Sequence, residues 1–301
     1  MGNTISEEEQ LKSFVEQVSD GPDLGVDQKI VKFCSPDSSE NLKRYYEKRK
    51  METGNFGQDA VKKLSEMFVG LTFAPELAGL GALAIAVLID LIFLSPSKDS
   101  TKEALRCVFA EEKASEVWDQ IDECLKRCTM NIKNKVQLRT DIERIEYKLS
   151  EALTKLKNSM VRDGQMTSEA LKAWINGAAF HIQMLIHLVR LGGIPDCDPV
   201  ERLISTYKRD LDPLFRKHKE MIYNKCSGDI ISMHDEDGIV MLVGEDSRSY
   251  TINDDIGYDR YYDVYYDHRY GRQKSMVQRY FNDVRENLHS LVHQRGSFSV
   301  Y

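Results

Sequence analysis

The chain has 301 residues, of which 42% are hydrophobic and 30% are charged, and its formal net charge is −7. This composition is typical of a folded, helix-rich protein and excludes a predominantly disordered chain. Residues 229–267 contain 11 acidic and 2 basic residues, and the short basic run at residues 43–50 (Lys43, Arg44, Lys48, Arg49, Lys50) is interpreted as a solvated helix face. Because no basic surface is evident, we expect no nucleic-acid partner.

The amino terminus, MGNTIS, supports two compatible interpretations. Gly2 with Ser6 four residues later fits the myristoylation pattern, in which Gly2 is exposed by removal of Met1. Ser6 with Glu9 is also a capping box that begins an amphipathic helix. Scattered cysteines and the lack of a signal peptide favour the reducing cytosol. We therefore expect a cytoplasmic protein with a lipidation site at Gly2 and reversible, peripheral contact with membrane lipid.

An apolar segment occupies residues 67–94 and contains the sequence ELAGLGALAIAVLIDLIF. Its uncharged part, residues 77–89, would form about 20 Å of helix, whereas a bilayer core is about 30 Å thick. The two acids in the segment are costly in hydrocarbon unless paired or protonated. Small residues recur every four positions and would admit a closely packed helix. The candidate core or membrane-insertion helix thus includes Gly70, Ala74, Glu76, Ala78, Ala82, Ala86 and Asp90. A constitutive span, a permanently buried helix and a conditionally inserting helix all remain open.

Long helices are predicted after this segment. Residues 101–160 lack proline and glycine and carry a coiled-coil-like apolar seam, either as one helix or as two that meet near residues 131–139. Another helix is expected from residue 167 to Gly192. A further helix has Asp198 as its N-cap and restarts at residues 212–213.

Two histidines on the helix after residue 167, His181 and His187, have no carboxylate or cysteine partner at ligand spacing in the sequence. They are interpreted as satisfied structural histidines. No phosphate-binding loop, nucleophile elbow, paired-carboxylate motif or metal signature is present. We expect no enzymatic activity, no catalytic residue, no metal and no cofactor.

The carboxyl-terminal part changes from helical to strand-like periodicity. Strands are predicted at residues 229–234, 239–243 and 249–252, and a last amphipathic helix at residues 274–295. Between them, residues 258–270 read YDRYYDVYYDHRY. Packing inside the fold and an exposed docking surface are both open interpretations of its tyrosines, which are candidate partner-binding residues: Tyr258, Tyr261, Tyr262, Tyr265, Tyr266 and Tyr270.

The sequence ELAGLGALAIAVLIDLIF, followed by the apolar seam from Trp118 to Leu156, resembles the layout of two groups of membrane-active helical proteins. These are the apolipoprotein-L-like proteins and the α-helical pore-forming toxins, which keep an apolar helix or hairpin inside a bundle. The resemblance implies a membrane-active bundle and assigns no role to any single residue.

The predicted fold is mainly α: an elongated bundle of long, coiled-coil-like helices around an apolar helix, with a small C-terminal β-meander and a terminal helix. Residues 1–34 hold the acylation motif and an amphipathic helix, residues 35–226 the bundle, and residues 227–301 the β-meander, the Tyr/Asp tract and the last helix. The first hypothesis is a non-enzymatic, membrane-associating protein that permeabilises membranes by conditional exposure of residues 68–93. The alternative is a soluble scaffold that binds a protein partner, or a second copy, through the Tyr/Asp tract.

Overall fold

A computed structural model describes residues 6–53, 58–69, 71, 73–93, 100–231 and 239–298. Gly2 and Gly70 therefore lie outside the described residues. The α-helices are α1 (Glu7–Val15), α2 (Gln28–Phe33), α3 (Ser38–Thr53), α4 (Gln58–Phe68), α5 (Leu80–Ile92), α6 (Thr101–Val108), α7 (Ser115–Met130), α8 (Lys135–Val161), α9 (Ser168–Arg190), α10 (Asp198–Lys225), α11 (Tyr258–Tyr266), α12 (Arg272–Glu286) and α13 (Leu288–His293). The strands β1 (Ser227–Ile231), β2 (Ile239–Val243) and β3 (Ser249–Ile252) form an antiparallel sheet in the order β1-β2-β3. The predicted mainly helical class with a small C-terminal sheet is confirmed.

Helix α9 lies at the centre of the bundle. It packs against α8 and α10, and it also contacts α7 and α5. Between Ala170 and Arg190 every residue except Lys172 and Val189 is buried. A helix that is apolar on nearly all faces must be surrounded on all sides, and the neighbouring helices provide that enclosure. The predicted bounds of this helix are confirmed, because Thr167 caps its start and Gly192, with φ +75°, follows its end.

Residues 101–160 form three helices. The alternative of two helices that meet near residues 131–139 describes the junction of α7 and α8, where the Asn134 side chain accepts a hydrogen bond from the Gln137 amide at 3.1 Å. Asparagine favours such a capping position over a helix interior. The earlier break, between α6 and α7, was not predicted. There Phe109, the C-cap of α6, stacks on Trp118 of α7 with ring centroids 5.8 Å apart.

The helix predicted at residues 68–93 is not continuous. Helix α4 ends at Phe68, residues 75–77 form a short 3-10 turn, and α5 begins only at Leu80. Pro75 forces the residue before it towards extended backbone, and Ala74 has ψ 143°. The four-residue repeat of small residues therefore lies on a helix only at Ala82 and Ala86, which Asp90 continues.

Helix α10 runs unbroken through Pro213, so the predicted restart at residues 212–213 is wrong. Its buried stripe continues from Leu211 to Leu214 across the proline, and this packing offsets the hydrogen bond that proline cannot donate. The predicted N-cap is also displaced by one position, because Cys197 is the N-cap and Asp198 is the first helical residue.

The C-terminal elements follow the predicted order with shifted ends. Strand β1 begins at residue 227, and residues 232–234 of the predicted strand lie outside the described part of the chain. A single π-helical turn at residues 267–271 joins α11 to α12, and the predicted last helix is divided at Asn287 into α12 and α13. Helix α1 packs on this region through Phe14, whose ring centroid lies 4.9 Å from that of Tyr261. The Ser6–Glu9 capping box of α1 is confirmed.

Candidate functional site: a buried apolar helix and its polar anchors

The apolar helix α5 is almost completely enclosed. From Leu80 to Asp90 every residue except Leu88 is buried, and Ala82 and Ala86 are 0% exposed. The helix packs against α3 and α7 and also contacts α2, α4, α6 and α9. Across the described residues, no helix is long and apolar enough to cross a membrane.

Asp90, the charged residue of α5, is held by an ion pair. Its Oδ1 accepts hydrogen bonds from the Tyr45 hydroxyl at 2.6 Å and from Arg49 Nε at 2.9 Å, and its Oδ2 accepts one from the Thr101 amide at 2.5 Å. We call this group, Asp90 with Tyr45, Arg49 and Thr101, the Asp90 anchor. Burial and the hydrogen bond to Asp90 raise the pKa of Tyr45 to about 12, so its hydroxyl stays protonated and donates.

Arg49 corrects one prediction from the sequence. The basic run at residues 43–50 was interpreted as a solvated helix face, yet the Arg49 side chain is 7% exposed. Its Nη1 also binds Glu52 at 2.8 Å, so the guanidinium bridges a buried and a half-exposed carboxylate. Helix α3 places Tyr45 and Arg49 on one face because they are four residues apart.

A second polar group lies where α5 begins. Arg190, the last residue of α9, donates to the carbonyl of Ala78 at 2.9 Å from Nη1 and to the carbonyl of Leu291 at 2.7 Å from Nη2. The His187 Nδ1 lies 2.9 Å from Arg190 Nη1 and accepts its hydrogen bond. We call these four residues, Ala78, His187, Arg190 and Leu291, the Arg190 anchor. It ties the start of α5 to α9 and α13.

Burial determines the protonation of this anchor. Loss of hydration lowers the pKa of Arg190 to about 10, and burial beside Arg190 lowers the pKa of His187 well below its ordinary value. The imidazole is therefore neutral, with its proton on Nε2, which has no partner within the described residues. Gly79 (φ +57°) fits here because a Cβ would lie 2.9 Å from the guanidinium nitrogens of Arg190.

The remaining residues predicted for the apolar segment lie before α5. Ala74 exchanges two backbone hydrogen bonds with Gly296, of 2.8 and 2.9 Å, which fixes the approach to the helix. Glu76 is 8% exposed, and within the described residues its carboxylate makes no hydrogen bond or ion pair. The structure thus brings Ala78, Ala82, Ala86 and Asp90 into one buried unit. Ala74 and Glu76 lie beside this unit, before α5.

The tyrosines of residues 258–270 point inwards, except Tyr258, which is half-buried. Tyr266 donates to the carbonyl of Phe215 at 3.2 Å, and Tyr262 donates to that of Lys219. The aspartates of the tract point outwards, where Asp263 pairs with Lys219 at 2.8 Å. Between α10 and α11 this leaves a surface cavity of about 510 Å³ lined by Arg216, Lys219, Glu220, Tyr223, Asn224, Asp259, Tyr262 and Asp263.

The buried histidines all have polar partners. His181 contacts Glu146 and Tyr207, each at 2.6 Å, so the structure gives it a carboxylate from α8 that helical spacing did not reveal. His218 lies 3.0 Å from Ser168 Oγ, and burial lowers the pKa of His218 to about 4. Because Ser168 and His218 are both buried, this pair belongs to the packing between α9 and α10.

The cysteines are all free thiols. Cys124 and Cys128 are hydrogen-bonded neighbours on α7, and this contact, together with burial, raises the pKa of Cys124 well above its ordinary value. In the described part of the chain, no group of three or more His, Cys, Asp or Glu side chains could hold a metal ion.

The fold and these contacts define a mainly helical protein whose buried apolar helix α5 is tied at both ends by polar groups. No protein-family model, curated protein or solved structure matches this chain.

Sequence reasoning missed Arg49, Tyr45 and Arg190 as site residues. One signal for Arg190 was available, because it directly follows a run without Asp, Glu, Lys or Arg at residues 173–189. A charge at the end of such a run has to be satisfied by backbone carbonyls or by a counter-ion when the helix is buried.

Proposed function

We propose that the protein is a non-enzymatic, cytoplasmic, membrane-associating helical protein that permeabilises membranes by conditional release of the segment 68–93. The observation that carries this proposal is that α5, an apolar helix, is held in the core by one ion pair at its end and one arginine at its start. Release of the segment would require these two polar groups and the Ala74–Gly296 backbone pair to open.

The energetics favour a conditional event. The apolar side chains of α5 lose little on transfer from a protein core to lipid, since both surroundings exclude water. Asp90 opposes transfer, because a charged carboxylate in hydrocarbon is costly. Replacement of Asp90 by an uncharged side chain would reduce this cost and weaken the bond to Arg49. Removal of this charge should therefore favour release.

Acylation at Gly2 is part of the proposal. A single myristoyl chain gives only weak, reversible membrane binding, so it would raise the local concentration of the protein at the bilayer without fixing it there. The Ser6–Glu9 capping box involves residues 6–9, and the acylation proposed here concerns Gly2.

Liposome leakage tests the release of α5. We expect Asp90→Asn to release dye from vesicles at neutral pH, where the wild type should not, because the variant carries no charge at the end of α5. The control Asp254→Asn, an exposed acid, should behave as the wild type. Adding Ala82→Lys to Asp90→Asn should abolish leakage, because it places a charge in the middle of α5. Absence of leakage from every folded variant would contradict the proposal.

The second candidate function is a soluble scaffold for a protein partner, and the cavity between α10 and α11 favours it. Because the tyrosine rings are largely buried, the exposed acids Asp259 and Asp263 would make the contact. Charge reversal of both to lysine should abolish capture of the partner, whereas reversal of Asp254 and Asp255 should not. Equal capture by both pairs would exclude this surface.

A further inference from the structure

Large apolar side chains project into water at the end of the molecule where α5 begins. Val69 and Phe73 are each 66% exposed, Met130 is 62% exposed and Val136 is 68% exposed. They lie after α4, before α5, at the end of α7 and at the start of α8. Each occupies a helix end or a connection, so the side chains stand on projecting tips.

Two contacts place these tips at the same end. Lys133, in the connection between α7 and α8, donates from Nζ to the carbonyl of Glu66 on α4 at 3.3 Å. Lys135 lines a surface cavity of about 450 Å³ together with Pro75 and Arg295. The α7–α8 connection therefore lies beside both the end of α4 and the segment that leads into α5. We call Val69, Phe73, Met130, Lys133, Lys135 and Val136 the Phe73 surface.

Phe73 itself is held in a strained conformation. Its φ is +53°, a region that a bulky side chain adopts only under constraint. Such a conformation costs on the order of 1 kcal/mol or more and persists only where the surrounding structure enforces it. The next residue, Ala74, is paired through its backbone with Gly296, which fixes the chain directly after Phe73. Phe73 therefore combines a strained backbone with an exposed aromatic ring.

The Phe73 surface carries two lysines in a chain of net charge −7. Of the five basic residues at 125–140, Lys126, Arg127 and Arg139 pair with Glu123, Asp141 and Glu143. Lys133 and Lys135 are exposed, and neither forms an ion pair with any carboxylate that the structure describes. Arg295 adds a further positive charge, and Glu66 and Asp196 are the acids nearby. The Phe73 surface therefore combines projecting apolar groups with unpaired lysines.

We propose that the Phe73 surface docks on a bilayer that contains anionic phospholipid. Phe73 and the neighbouring apolar tips enter the boundary between headgroups and acyl chains, and Lys133 and Lys135 bind lipid phosphates. Interfacial insertion to a depth of about 5–10 Å, reinforced by basic residues, is the usual form of peripheral binding. None of the four exposed apolar side chains lines the cavity beside Pro75, so a flat lipid interface fits them better than a peptide held in that cavity. The inference rests on the proposed membrane association but does not require α5 to leave the core.

Flotation of the full-length protein, unmodified at Gly2, with phosphatidylcholine vesicles that contain or lack phosphatidylserine tests this docking. The wild type should float with the anionic vesicles only. Phe73→Asp should weaken binding about tenfold or more, since burying a phenylalanine is worth about 1.5–3 kcal/mol. The matched control is Tyr147→Asp, because Tyr147 is 72% exposed on α8 and lies about 18 Å along the helix from Lys135.

A second pair of matched variants tests the contribution of the lysine charge to membrane binding. Lys135→Glu should weaken binding to anionic vesicles about tenfold, because each basic residue near such a surface contributes about 1 kcal/mol. Lys148→Glu, at an exposed position of the same helix, should not. Phe73→Trp fluorescence should be quenched by brominated lipid, whereas Tyr147→Trp fluorescence should not. Melting temperatures equal to that of the wild type would verify that each variant is folded.

The outcomes separate this inference from the release of α5. Binding without leakage would support docking and contradict release. Equal losses for Phe73→Asp and Tyr147→Asp, or no flotation of the wild type, would overturn docking. A dimer in sedimentation velocity that Phe73→Asp dissociates in the absence of lipid would also overturn it, because the surface would then be a contact between two copies of the chain.

Discussion

At the residue scale, removing one partner of the Asp90–Arg49 ion pair should lower the unfolding free energy more than replacing both partners by apolar side chains. Arg49→Met leaves a buried carboxylate without its cation, and we expect a loss of about 3 kcal/mol of unfolding free energy. The double variant Arg49→Met with Asp90→Leu should recover most of it. Urea denaturation measures both. Arg44→Met, which removes an exposed pair with Glu40, should cost under about 1 kcal/mol; an equal cost at both positions would contradict the argument.

Gly79 and Gly164 form a natural comparison. Both have positive φ, but a Cβ at Gly79 would meet the Arg190 guanidinium at 2.9 Å, whereas a Cβ at Gly164 would meet nothing within 4 Å. Gly164→Ala should therefore cost only the backbone strain, about 1 kcal/mol. Gly79→Ala should cost more, because Arg190 has to move from its carbonyl partners. Thermal melts would show the difference, and equal shifts would mean that Arg190 adapts freely.

Individual residues of the site were only partly predictable. Asp90 was conspicuous as an acid inside an apolar run, and its need for a partner followed from that placement. Its actual partner could not be deduced, because Arg49 sits in a run of similar basic residues and only the packing of α3 on α5 selects it. Exposed apolar residues such as Phe73 carry no periodic signal, so the sequence alone did not indicate the Phe73 surface.

At the element scale, helix existence was predicted better than helix ends. For α9, both ends were evident from the sequence, because Thr167 precedes the buried apolar stripe and Gly192 follows it. Two prolines were interpreted wrongly. Pro75 breaks the segment that was predicted as one helix, whereas Pro213 lies inside α10, where a break was predicted. The difference is tertiary, since α10 buries side chains on both sides of Pro213, while Pro75 is followed by Gly79 in a conformation that starts a new helix.

Pro213 should therefore destabilise α10. Pro213→Ala restores a backbone donor in the helix interior, and we expect it to raise the unfolding free energy by about 1 kcal/mol or more. Pro199→Ala is the matched control, because Pro199 lies in the first turn, where its missing N–H has no intrahelical partner. Chemical denaturation compares the two. A destabilised Pro213→Ala would show that the proline is needed for packing.

At the scale of the whole molecule, buried histidines link the fold to pH. His187 contacts the arginine that holds the start of α5, and His218 joins α9 and α10 to α11 through Ser168 and Tyr266. Both are neutral in the fold. Protonation of His187 would place two cations side by side beneath α5. Acid therefore acts on the Arg190 anchor, at the start of α5.

Stability should fall as the pH drops below about 6.5, the ordinary histidine pKa. Because the pKa of His218 in the fold is about 4, the unfolded chain binds more protons between these values. The unfolding free energy then decreases by up to about 1.4 kcal/mol per pH unit for each such histidine, or roughly 3 kcal/mol for His218 in total. Urea titrations of the wild type and His218→Gln should show a shallower slope in the variant. The exposed His289, replaced by Gln, should leave the slope unchanged, and equal slopes in all three proteins would contradict the assignment of His218 as a buried neutral group.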